Sequence, residues 1–175
     1  IRQVIEKNHD TFPLDLIVEE FKGKPKSIIF SEDDIQTLFD NWYGNPYSFS
    51  TLALLYPTLD FRNKFHVDHI FPKSMFTKRK LQEQGISENK MEIFLNEFNF
   101  LANLQLMEGI PNMEKSSKDF REWLFATYPE QQARYNYMER NYIPDIDLRL
   151  ENFDVFIVER TKMIADKFSA ILKLQ

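Results

Sequence analysis

The sequence predicts an α+β fold that is mostly helical, with one short strand, loop, strand, loop, helix stretch (about 65 to 126) set inside it. Three observations carry this reading. Apolar residues recur at helical spacing toward both ends of the chain. Two short apolar runs, FHVDHI and FLANLQLM, interrupt that spacing as strand candidates, although the second pattern also suits a helix. Hydrophobic residues make up 43% of the 175 residues, 17 of them Phe, enough to fill a core.

Taken in order, residues 1 to 22 read as helical pieces interrupted at Pro13, with Leu14, Ile17, Val18 and Phe21 at helical spacing. KGKPKS (22 to 27) is a loop. In SEDDIQTLFDNWYG, Ser31 is placed to cap a helix whose first turn holds three acids, where the helix dipole favours negative charge. Ile35, Leu38, Phe39 and Trp42 form its expected buried face, and Gly44-Asn45-Pro46 stops it. SFSTLALLYP (48 to 57) is a short apolar helix ending at Pro57. After the Phe65–Ile70 strand comes the Pro72 turn. Residues 78 to 100 are helical, with a break at Gly85 and a new start at Ser87. EGIPN (108 to 112) reads as a tight loop and 113 to 129 as helix, with Phe120, Trp123 and Leu124 inward. From Glu151 onward Phe153, Phe156, Ile157, Ile164, Phe168, Ile171 and Leu172 make one apolar stripe of an amphipathic helix.

Composition removes several function classes. With no cysteine there is no disulfide, no thiolate nucleophile and no Cys-bound zinc, which fits a reducing compartment and leads to an expected cytoplasmic location. Four glycines leave no Gly-rich phosphate loop. No apolar run approaches the roughly 20 residues that span a bilayer, so no membrane partner is expected. Ile1 without an initiator Met reads as the start of a fragment from a longer protein, expected to be its C-terminal part. The net charge of −5 runs against a nucleic-acid partner, yet the basic charge is concentrated. Between Arg62 and Lys80 lie six basic residues (Arg62, Lys64, Lys73, Lys78, Arg79, Lys80) and one acid, Asp68.

The chemistry gathers in that same stretch. Two of the chain's three histidines, His66 and His69, flank Asp68 in FHVDHIFPKSMF. Strand alternation would place His66 and Asp68 on one face and His69 on the other, so Asp68 and His69 can share a site only if the strand ends or distorts there. The carboxylate is a hard oxygen ligand suited to Mg²⁺ or Mn²⁺. The imidazole can take a proton from water near neutral pH. Phosphodiester hydrolysis needs both an activated water and a cation to offset charge. Downstream, Asn103 and Asn112 stand nine residues apart, with Lys115 and Lys118 just beyond. Each asparagine alone is read more simply as a cap or turn residue.

Together, VDHIFPKS, ANL with Asn103, and PNMEKS with Asn112 resemble the HNH nuclease motif of the ββα-metal (His-Me finger) fold. LLYPTLDFRNKFHVDHIFPKSMF and NFLANLQLMEGIPNMEKSSKDFREWL are similar to the C-terminal nuclease domain of GmrSD-type modification-dependent (type IV) restriction enzymes. The resemblance implies an HNH core embedded in a helical domain. Residues 1–175 would then be a single C-terminal nuclease domain: a helical part over 1–60, the core over 61–128 with a helical insertion at about 77–98, and C-terminal helices over 129–175. It implies His69 as the base, Asp68 and Asn112 as ligands of one divalent metal, and Asn103 as the residue that holds the loop and helps orient the His69 ring. Lys115 and Lys118 would face phosphate, with Lys73 and His66 as further phosphate contacts; His66 has packing as its plainer alternative. The metal would be Mg²⁺, with Mn²⁺, Ni²⁺ and Zn²⁺ open. Ala102 stands where the family often has Gly, and its methyl is tolerable unless the backbone needs a positive φ. The implied partners are a DNA substrate and an N-terminal ParB/sulfiredoxin-like NTPase domain, and the implied role is restriction of modified phage DNA. A non-cleaving nuclease-derived domain that binds DNA or protein is the alternative, and a purely helical interaction module is the third reading.

Overall fold

A computed structural model describes residues 1–8, 11–24, 27 and 30–172. The chain is α+β and mostly helical, with one two-stranded sheet. The N-terminal region carries α1 (Arg2–Glu6) and α2 (Leu14–Phe21), with Pro13 at the α2 N-terminus. Pro has no N–H to leave unpaired there and its φ is set for the first turn. Pro25 and Lys26 of the loop expected at 22–27 lie outside the described residues.

Helix α3 (Glu32–Thr37) begins where the sequence marks it. The Ser31 side chain accepts from the Asp34 N–H while the Asp34 carboxylate accepts from the Ser31 N–H, closing a capping box. The helix tightens into a 3₁₀ turn over Leu38–Asp40 and stops before Trp42. Trp42 was expected on the buried face but lies past the last turn, 56% exposed, so helical phase no longer aims it at the core. Helix α4 (Ser48–Ala53) follows.

Strand β1 (Phe65–His69) pairs antiparallel with β2 (Leu104–Glu108), setting Asp68 opposite Gln105 and His69 opposite Leu104. Between them run α5 (Lys78–Glu83) and α6 (Glu88–Glu97), two helices over the stretch read as an insertion. A 3₁₀ turn over Leu101–Asn103 leads into β2, so the second strand starts later than FLANLQLM implied. Ala102 does not have a positive φ, and its methyl sits in the core.

After β2 the expected loop at 108–112 is instead the start of a helix. Helix α7 spans Gly109–Lys115, and Pro111 is accepted because N–H groups of a first turn have no intrahelical partner. The helix expected over 113–129 is broken in two: Ser116 takes φ 46°, and α8 (Phe120–Thr127) restarts behind Asp119, whose side chain caps Glu122. Helices α9 (Gln131–Arg140) and α10 (Phe153–Leu172) complete the chain.

The apolar stripe of α10 serves two cores. Phe153, Phe156 and Ile157 join a Phe-rich cluster with Phe71, Phe76, Phe94 and Phe120, while Ile164 and Phe168 meet Ile35, Leu52, Leu104 and Leu106. Arg160 lies between them, fully buried, and donates to the backbone oxygens of Ala102, Leu104, Asn141 and Tyr142. Burial pulls its pKa down to about 10, so it stays charged at neutral pH. Among the described residues it has no carboxylate partner, and it clamps the entry of β2 through backbone carbonyls. No described helix is long and apolar enough to cross a membrane.

Candidate functional site

The site is built at the end of the strand pair, with α7 packed across both strands. Asp68 and His69 are the last two residues of β1, paired with Gln105 and Leu104; the Asp68 carboxylate meets Gln105 and Lys115, while the His69 ring meets Asn99, Tyr43 and Phe98. Ile70 still donates to the Asn103 backbone oxygen (2.8 Å), so the chain leaves the sheet under control.

Lys115, at the last turn of α7, reaches back under the strand. It is fully buried, and its Nζ lies 2.9 Å from Asp68 Oδ2 and donates to the His69 backbone oxygen at 2.6 Å. Gln105 Nε2 also donates to Asp68 Oδ2 (3.2 Å), and the Tyr137 hydroxyl donates to Gln105 Oε1 (3.0 Å). Burial lowers the Lys115 pKa while Asp68 opposes the shift; burial raises that of Tyr137, keeping its phenol a donor at neutral pH. Asp68 therefore has one oxygen saturated by protein. Its Oδ1 makes no hydrogen bond among the described residues. This corrects the expectation for Lys115: its charge is spent on Asp68 inside the protein and does not face phosphate.

His69 is 6% exposed. Its Nε2 lies 3.0 Å from Asn99 Oδ1, the Tyr43 ring packs on it with centroids 4.3 Å apart, and Phe98 stacks at 6.2 Å. Burial is the largest influence on its pKa and lowers it. Asn99 and Asp68 oppose, and Lys115 and Lys73 reinforce the lowering. A ring held neutral at pH 7 with a free lone pair can accept a proton.

Asn103 is fully buried and holds the loop from three directions. Its Oδ1 accepts from Phe71 N (2.9 Å), and its Nδ2 donates to Phe71 O (3.1 Å) and Phe98 O (2.8 Å). Its side chain makes no hydrogen bond to the His69 ring, whose hydrogen-bond partner is Asn99. Asn99 escaped the sequence reading because its partner is 30 residues away, and nothing local distinguishes it from any other asparagine at a helix end. Tyr43, 42% exposed in the WYGN turn, carried no signal either.

Asn112 lies within the second turn of α7, so it is not the N-cap that its sequence context suggested. Its half-buried side chain makes no hydrogen bond among the described residues. Lys73 and Lys118 are exposed, and Lys73 lies close enough to His69 to act on its pKa. His66 is half-buried beside the start of α7, where a Cβ on Gly109 would lie 3.8 Å from its Nε2.

Among the described residues no group of three or more His, Cys, Asp or Glu could enclose a metal ion. Among the described residues Asp68 Oδ1 and the Asn112 side chain carry no hydrogen bond, and each offers a hard oxygen donor of the kind Mg²⁺ takes. No known family matches the chain. No curated protein is similar enough in sequence to match it.

Proposed function

We propose that this chain is a metal-dependent DNA endonuclease domain of the HNH (ββα-metal) type, built as the C-terminal nuclease domain of a GmrSD-type restriction enzyme acting on modified phage DNA. The strand pair and α7 would form its core within residues 61–128, and an NTPase domain upstream would be its natural partner in the cytoplasm. One observation carries the reading. A neutral histidine with a free ring nitrogen stands next to an aspartate with a free oxygen, at the end of an antiparallel pair closed by the helix that bears Asn112.

In this reading His69 accepts the proton of the attacking water, and its depressed pKa keeps it unprotonated for that task. Asp68 and Asn112 would hold a Mg²⁺ or Mn²⁺ ion, whose contribution is to offset charge on the phosphate and the leaving oxygen. Lys115 and Gln105 fix the Asp68 carboxylate so that Oδ1 is the oxygen left to offer. Lys73 and Lys118 remain exposed and free to meet the DNA backbone, with His66 at the edge of that surface.

The test is nicking of supercoiled DNA with Mg²⁺ or Mn²⁺, leaving 5′-phosphate and 3′-hydroxyl ends. His69→Ala is expected to abolish it with an unchanged circular dichroism spectrum; undiminished cleavage by that variant overturns the mechanism. The Lys115 ammonium already seated on Asp68 favours as a second reading a nuclease-derived domain that binds DNA or protein without cutting. DNA binding without metal-dependent cleavage would select it.

A further inference from the structure

We infer that Asn99 is the positioning residue of His69, and that it holds the ring in the tautomer with the hydrogen on Nε2, so that Nδ1 is the nitrogen offered outward. The first ground is donor and acceptor chemistry. Asn99 Oδ1 can only accept, so a 3.0 Å bond to Nε2 requires Nε2 to carry the hydrogen. In a neutral imidazole the lone pair is then on Nδ1.

The second ground is what surrounds Nδ1. It makes no hydrogen bond among the described residues, yet no buried side-chain nitrogen or oxygen there lacks a partner. An unpartnered Nδ1 is therefore one that solvent reaches, although the residue as a whole is 6% exposed. No described acceptor stands ready to receive a hydrogen from Nδ1, so the opposite tautomer has nothing on the protein to stabilise it.

The third ground is that Asn99 is itself fixed. Its backbone oxygen accepts from Tyr43 N (2.8 Å), and the Tyr43 ring lies against the imidazole 4.3 Å away. One residue earlier, the Phe98 oxygen is held by Asn103 Nδ2, and the Phe98 ring stacks with His69. Asn103 thus acts one step back: it sets the 98–103 corner, and the corner sets Asn99. The backbone of His69 is held separately by Lys115. Ring and backbone of one residue are thus held by two different residues.

The tautomer assignment stands on the geometry alone; the task given to Nδ1 rests on the nuclease reading. Long-range ¹H–¹⁵N NMR of the imidazoles at pH 8.5, where the ring is neutral, decides the first part in the wild-type protein. The expected result is Nε2–H with an unprotonated Nδ1 for His69, and an Nδ1–H tautomer overturns the inference without any variant. Asn99→Leu is expected to mix the tautomers and slow cleavage on the order of 10- to 100-fold, the loss typical when a group that orients a catalytic ligand is removed. Asn99→Asp, which still accepts from Nε2–H, is expected to restore the tautomer and most of the rate at that pH. Asn99→Leu with both tautomer and rate of the wild type also overturns the inference. A wild-type protein that fails to cleave sinks the nuclease reading, while its NMR tautomer still decides the part of Asn99.

Discussion

Replacing Lys115 by methionine keeps an apolar stem, with sulfur in place of one methylene, and removes the Nζ that touches both Asp68 Oδ2 and the His69 backbone oxygen. Losing one partner of a buried ion pair leaves the other charge uncompensated, a cost of about 3–5 kcal/mol. The Asp68 side chain keeps 16% of its exposure and its bond from Gln105, so the lower end applies, about 3 kcal/mol. For a chain of this size that is a fall in melting temperature of about 6–12 °C. The assay is urea unfolding followed by tryptophan fluorescence, since Trp123 lies in the core beside Tyr137. The deficit is read as a shift of the urea midpoint at pH 7. Asp68→Asn combined with Lys115→Met should recover most of it, because the pair is then removed together. A Lys115→Met protein as stable as wild type at pH 7, or a double variant no better than the single, would show that the pair does not hold this site together.

The depressed His69 pKa carries a pH signature. The unfolded chain, with its ring near 6.5, binds the proton more readily than the folded one, so stability rises with pH through the window from the folded value up to about 6.5 and falls on acidification. Cleavage should likewise persist somewhat below pH 6.5 and fall only as the folded ring charges; a profile with its acid limb above 6.5 contradicts the burial argument. Asn103→Ala removes three hydrogen bonds from a fully buried group and is expected to cost about 2–4 kcal/mol, read as a urea midpoint, and to abolish nicking. Arg160→Met strands four backbone oxygens, two of them buried at the entry of β2, and is expected to cost about 3 kcal/mol or more by the same measurement.

Where local chemistry decides the structure, the sequence was legible. Ser31 with Asp34 marks the start of α3, Pro13 marks the start of α2, and the stripe from Phe153 to Leu172 marks α10 almost to the residue. The first strand was readable because its apolar run ends at a proline turn. Where a long-range partner decides, it was not. Gly109 and Pro111 look like loop residues, yet packing against both strands draws them into α7. Lys115 looks like a surface cation in a basic stretch; only Asp68, 47 positions earlier, explains its burial. Of the candidate site, Asp68 and His69 stood out as residue types in one short segment, while the loop-holding part of Asn103 was legible only through the family resemblance. Asn99 and Tyr43 were not legible, since their roles exist only once the chain brings residues 43, 69 and 99 to one corner.

The Arg160 clamp bears on how this domain can be cut. The proposed nuclease core, residues 61–128, is naturally imagined as a portable cassette. Yet the carbonyls that Arg160 gathers belong to residues 102 and 104 on one side and 141 and 142 on the other, and the guanidinium comes from the middle of the last helix. A protein ended before residue 160 would keep every proposed catalytic group and lose the tie that fixes where β2 begins. The C-terminal helix is thus an architectural member of the hairpin, and the smallest piece that can carry this site runs well past the motif that announces it.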